Sequence, residues 1–118
     1  MITMAENKLA DMSTEFAVKI LNLTDGIKGH YSLVNQLERS GTSIGANIHE
    51  AQYAQGTKDF ISKFETALKE ASETGYWLEL LFRTKYIEEQ TFKVLSSKCT
   101  SLRVMLMASC KTAKENIK

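Results

Sequence analysis

The chain has 118 residues, enough for one domain with a core of its own and without need of disulfides or metals. Its apolar and charged fractions, 43% and 25%, argue against disorder, and a formal charge of +1 excludes the global basic field of a dedicated duplex-binding domain. No apolar run approaches the roughly 18 residues of a membrane span, and Glu6, Lys8, Asp11 and Glu15 interrupt any secretory leader, so a cytoplasmic protein without membrane contact is expected.

Proline is absent, which points to long helices joined by short connections. The first apolar series, Leu9, Met12, Phe16, Ile20, Leu23 and Ile27, advances by three and four residues and marks one face of a helix. Gly26 and Gly29 offer its stop, with Lys28 placed where a cation suits the helix dipole. The loop then holds His30.

A second helix is predicted from Tyr31 or Ser32, with Leu33, Leu37, Ile44, Ile48 and Ala51 on its apolar face and an end near Gln55 and Gly56. It contains the most unusual segment, in which Gly41 and Gly45 lie four residues apart among Ser40, Thr42, Ser43 and Ala46. Each glycine costs a helix about 1 kcal/mol relative to alanine. Two accounts stand. A loop breaks the helix here, or the glycines share a face that lets a neighbouring backbone come close. Leu37, Ile44, Ile48 and Ala51 keep their phase across the segment, which favours the continuous helix. Arg39, Ser43, Asn47 and Glu50 form a polar row, either a solvated face or a partly buried one that sets register against a helix or subunit. His49 belongs on a solvated face.

Thr57 is the expected N-cap of the third helix, whose stripe runs Phe60, Phe64, Ala67, Leu68, Ala71, Leu78, Leu81 and Phe82. Tyr76 and Trp77 are adjacent and diverge by about 100° around the helix, so both cannot face one core. One sits at a subunit boundary, or both cover bundle edges. A turn is predicted over residues 85–88. The fourth stripe is Phe92, Leu95, Cys99, Leu102, Leu106, Cys110 and Ala113. Four amphipathic helices with short loops give the expected fold class, an all-α, antiparallel up-down-up-down four-helix bundle in one domain over residues 1–118.

Chemistry is sparse. A bundle di-iron site needs Glu-x-x-His pairs, but Ile27 and Ala46 precede His30 and His49 by three. Two His and two Cys without ligand spacing give no zinc motif, and no Gly-rich phosphate loop follows a strand. Ser40, Ser43 and Ser72 have no local His–acid arrangement. No catalytic residue, cofactor or metal is therefore expected. Cys99 and Cys110 fall on the apolar stripe about 16 Å apart along the axis, too far to pair, and read as small hydrophobes.

Charge is uneven. Residues 50–82 carry three Lys against six Asp or Glu, whereas residues 89–118 carry Lys93, Lys98, Arg103, Lys111, Lys114 and Lys118 against Glu89 and Glu115. Such a basic face can meet nucleic-acid phosphate, or pair with the acidic third helix of the same bundle or of a neighbour.

Two segments together resemble a known family. The run Gln36, Leu37, Glu38, Arg39, Ser40, Gly41, Thr42, Ser43, Ile44, Gly45, Ala46, Asn47, Ile48, His49, Glu50, Ala51, followed by Lys58, Asp59, Phe60 and the stretch from Glu70 to Leu81, is similar to the bacterial four helix bundle protein family, also called the 23S ribosomal RNA intervening-sequence protein family. The Arg-Ser-x-x-Ser-Ile-x-x-Asn-Ile core is the specific part. The resemblance implies an antiparallel bundle that forms ring-like homopentamers. The family is named for reading frames inside insertions in ribosomal RNA genes. Related bundles accompany a reverse transcriptase and are basic enough to hold nucleic acid. No activity is implied. Gly75 stands where relatives commonly carry Glu, and the near-neutral charge departs from the basic relatives.

The expectation is a non-enzymatic homo-oligomeric module, with Arg39, Gly41, Ser43, Gly45, Asn47, Tyr76 and Trp77 in helix or subunit packing. The alternative is an accessory protein that meets RNA, or a nucleic-acid-processing partner, through Lys93, Lys98, Arg103, Lys111 and Lys114 on an oligomeric surface. An enzyme whose site forms only between subunits is the third class.

Overall fold

Residues 3–116, those described by the computed structural model, fold into four helices: α1 (Met4–Asp25), α2 (Tyr31–Ala51), α3 (Thr57–Arg83) and α4 (Glu89–Glu115). Each packs on its two neighbours, most extensively α2 on α3 and least α1 on α4. The result is an up-down bundle measuring 48 × 21 × 19 Å.

Local chemistry explains where the helices start and stop. Thr3 caps α1: its hydroxyl accepts from the Glu6 amide at 3.0 Å, while the Glu6 carboxylate accepts from the Thr3 amide at 3.0 Å. Gly26 ends α1, so Ile27 and Lys28 lie beyond it and no cation occupies its last turn. Gly29 (φ 98°) and His30 (φ 46°) make the left-handed bend into α2. α2 closes at Ala51 through turns at Gln52 and Tyr53, a little earlier than its pattern predicts.

The expected cap at Thr57 is corrected. Gly56 holds the N-cap position at φ 155°, a conformation that side-chain-bearing residues avoid, and Thr57 is the first helical residue. The Asp59 carboxylate instead accepts from the Gln55 amide at 3.1 Å. Between α3 and α4, Lys85 (φ 68°) makes the turn and Ile87 is buried beneath it.

The apolar stripes meet in one core. Leu9, Phe16, Ile20, Leu37, Ile44, Ile48, Phe64, Leu78, Leu81, Leu102 and Leu106 are all essentially without exposure. α2 is continuous through its glycines. A Cβ at Gly41 would meet both γ-carbons of Ile20 at 3.1 Å, and one at Gly45 would meet Ser13 Oγ at 3.2 Å and its carbonyl oxygen at 3.5 Å. Missing side chains thus let α1 lie close on α2. Gly75 differs, with nothing within 4 Å of its would-be Cβ.

Candidate functional site

The densest polar cluster lies along the α2–α3 seam. Arg39 reaches from α2 to two acids one turn apart on α3, with Nη1 at 3.2 Å from Glu70 Oε2 and Nη2 at 3.6 Å from Glu73 Oε2. Gln36 Oε1 accepts from the same guanidinium at 3.3 Å. The Glu70 side chain is 11% exposed and that of Arg39 52%. Burial pushes the Glu70 carboxyl above the usual carboxylate range; Arg39 opposes this and Glu73 adds to it.

Beneath this cluster the hydroxyls of Ser40 and Thr74 meet at 2.9 Å, both buried. Thr74 also lies 2.7 Å from the Glu70 carbonyl and Ser40 lies 3.3 Å from that of Leu37, so the pair is satisfied without water. On the other side of α2, Thr24 donates to Glu38 at 2.8 Å and Ser13 to the Ala10 carbonyl at 3.0 Å. Of these, Thr24–Glu38, Ser40–Thr74 and Arg39–Glu70 tie neighbouring helices at fixed heights, whereas the Ser13 bond stays within α1. Those three set register.

The rest of the polar row turns back on its own helix. Ser43 donates to the Arg39 carbonyl at 2.6 Å and Asn47 to that of Ser43 at 2.9 Å. Both are half-buried, while Glu50 is exposed. The seven packing residues therefore occupy different places. Gly41 and Gly45 face α1, Arg39 reaches α3, and Ser43 and Asn47 bond along α2 itself. Tyr76 is 56% exposed, and Trp77 is half-buried with an indole N–H that is buried and unpaired. The two rings touch at a centroid distance of 5.2 Å.

The basic residues of α4 do not form one face. At about 100° per residue, Lys93 and Lys111 share a meridian, with Lys114 and Arg103 within about 80° of it. Lys98 lies about 140° from both Lys93 and Arg103. Lys114 is engaged by Glu65 of α3 at 2.7 Å, which raises its pKa, and Lys93 pairs with Glu89 at 3.4 Å. Arg103, Lys111 and Lys98 are exposed. Lys118 lies outside the described residues.

Among the described residues no group of three or more His, Cys, Asp or Glu side chains is arranged to hold a metal ion, and no helix is long and apolar enough to cross a membrane. Both cysteines are free and buried. Burial pushes the Cys99 thiol up to about 11 and also raises Cys110, next to Glu65; Cys99 donates to the Ala71 carbonyl at 3.1 Å. His30 and His49 are exposed and rest edge-on against Tyr86 and Tyr53. A cleft of about 760 Å³ opens where α1 begins and α4 ends, with Ala5, Ala51, Phe60, Ala108 and Ala113 in its walls. It gathers no charged pair.

Ser13, Thr24, Ser40, Glu70 and Thr74 are buried polar residues that the apolar stripes alone leave out. The signal was one of position: Ser13 and Thr74 fill the gaps in the series Leu9–Phe16 and Ala71–Leu78 at helical spacing.

The sequence matches the family model described as 23S rRNA-intervening sequence protein over residues 5–108. It is also similar to a crystal structure of a protein with unknown function from the S23 ribosomal protein family of Bacteroides thetaiotaomicron. The two share 45% identity and a TM-score of 0.86, over 92% of this chain and 99% of that one. No curated protein matches the sequence.

Proposed function

The chain belongs to the 23S rRNA-intervening sequence protein family, and on that premise we propose that it is a non-enzymatic, homo-oligomeric bundle, pentameric by the resemblance, that serves as an assembly or accessory module. One observation carries this reading. Val18 and Leu21 on α1, and Val94 and Val104 on α4, stand between 41% and 60% exposed on the outsides of those helices. Apolar side chains grouped on helix faces away from the core are the mark of a surface that another protein covers. Arg39, Gly41 and Gly45 act within the subunit by fixing helix height and spacing, and Ser43 and Asn47 bond along α2. Tyr76 and Trp77 are boundary residues. The cell compartment that fits is the cytoplasm.

Light scattering across a concentration series tests the proposal. An assembly of several chains is expected, and a mass of one 13.3 kDa chain throughout would end it.

A second reading is RNA contact, favoured by one observation: exposed Arg103 and Lys111 lie on the same side of α4. Repetition around an oligomer would raise avidity without a large charge per chain. Binding to RNA should then weaken steeply as salt rises, and Lys98→Gln, Arg103→Gln and Lys111→Gln together should reduce it. Absence of binding at low salt removes this reading.

A further inference from the structure

We infer that α1 is a hinged strap, which swings off the bundle as an intact helix about residues 26–30 and parts first from α4 at its N-terminal end; this does not depend on the oligomeric reading above. Polar ties between helices are unevenly distributed. The Arg39–Glu70 pair at 3.2 Å and the Ser40–Thr74 bond at 2.9 Å join α2 to α3. Lys114 meets Glu65 at 2.7 Å, and Cys99 donates to the Ala71 carbonyl at 3.1 Å, which joins α4 to α3. α1 has one such tie, from Thr24 in its last turn to Glu38 of α2 at 2.8 Å. Among the described residues no side-chain hydrogen bond or ion pair crosses from α1 to α4, the two neighbours that also pack least on each other.

Over residues 4–23, α1 is therefore held by apolar contact, chiefly through Leu9, Phe16 and Ile20. Ser13 and Thr14 donate to the Ala10 carbonyl of α1 itself. The cleft of about 760 Å³ lies between the two helices at this end, with Ala5 on one wall and Ala108 and Ala113 on the other. Side chains that short leave the gap open.

The opposite end is built as a pivot. α1 stops at Gly26, and Gly29 (φ 98°) and His30 (φ 46°) turn the chain through two successive left-handed residues. A Cβ at Gly29 would lie 3.6 Å from the Tyr86 ring, which also meets His30 edge-on at 4.7 Å and holds the bend in place. At the free end the Thr3–Glu6 capping box keeps the first turn helical through bonds of its own, docked or not. A helix pinned at one end, capped at the other and held between them by apolar contact detaches at a lower free energy than the domain unfolds. The open form uncovers Leu9 and Phe16, and with them an apolar surface that the closed bundle hides.

Native-state thiol labelling tests this. Ser13 is fully buried against Gly45 of α2, and Ser13→Cys puts a thiol there with little change in size. Cys99, buried between α3 and α4, is the comparator in the same chain. Masses of labelled peptides across a urea series should show the new thiol reacting at least about tenfold faster than Cys99 in the absence of urea. Its rate should also depend less on urea, because freeing α1 exposes less surface than unfolding does. Equal rates with equal urea dependence overturn the strap. Faster labelling of Cys99 places the opening between α3 and α4 and overturns it too. Should Ser13→Cys lose its helicity by circular dichroism, hydrogen exchange of the unaltered chain reads the same motion. Amides of residues 4–23 should then exchange with a smaller urea dependence than those of α2 and α3, and exchange of all three helices together overturns the inference.

Discussion

One added methyl group, placed in turn at Gly41, Gly45 and Gly75, separates helix propensity from the closeness of α1 and α2. All three positions are helical, so alanine should gain about 1 kcal/mol of propensity at each. At Gly75 the new Cβ meets nothing within 4 Å, and the full gain should appear. At Gly41 it meets both γ-carbons of Ile20 at 3.1 Å, and Ile20 is fully buried and β-branched, with one strongly preferred rotamer in a helix. Overpacking of that kind costs about 1–3 kcal/mol, so Gly41→Ala should come out roughly 0–2 kcal/mol less stable than the unaltered chain. Gly45 is intermediate. Its neighbour at 3.2 Å is the Ser13 hydroxyl, which can rotate away at the expense of its bond to Ala10, and the Ser13 carbonyl at 3.5 Å is an ordinary contact. The expected order of stability is Gly75→Ala, then Gly45→Ala, then Gly41→Ala. Urea unfolding read by circular dichroism gives the free energies, and a domain of this size should shift by roughly 4 °C in Tm per kcal/mol. Protein concentration must be matched, because self-association stabilises the folded state. Equal gains at Gly41 and Gly75 would refute the close approach of α1 to α2.

Thr74→Val should cost about 1 kcal/mol, because Ser40 keeps the Leu37 carbonyl within reach; urea unfolding that shows a loss above roughly 3 kcal/mol would mean the hydroxyl pair holds α2 on α3 far more strongly than a net hydrogen bond does. Glu70 has its folded pKa raised above 4.5, chiefly by burial. The folded state therefore binds its proton more tightly than the unfolded state, and this contribution to stability is lost as pH rises through the window just above 4.5. Unfolding free energies of Glu70→Gln and the unaltered chain should accordingly shift in favour of the variant as pH rises through that window, and the opposite slope contradicts the assignment. Cys99 and Cys110 should resist a thiol reagent at pH 8 in the folded protein and react on unfolding, Cys110 first because it is the less covered at 6% against 2%. Rapid labelling of both thiols in the native state would contradict their burial.

The amino-acid sequence by itself determined the helices and most of the core, because helical spacing places apolar residues on one side whatever lies opposite. Leu9, Phe16, Leu37, Ile44, Phe64, Leu78, Leu102 and Leu106 stand in the predicted stripes and are buried. It also kept α2 continuous, since the phase of Leu37 and Ile44 survives two glycines. Only the tertiary structure decided what those glycines face, that Ser40 meets Thr74, and that Arg39 is shared by Glu70 and Glu73. Periodicity fixes an angle about one helix axis, but contact between helices depends on their relative height and rotation. On α4, periodicity alone already turns Lys98 about 140° from Lys93 and Arg103, whereas only the packed structure gives Lys114 to Glu65. The cap of α3 passed to Gly56 for a related reason, since the path of the incoming loop required a positive φ that Thr57 could not supply without strain.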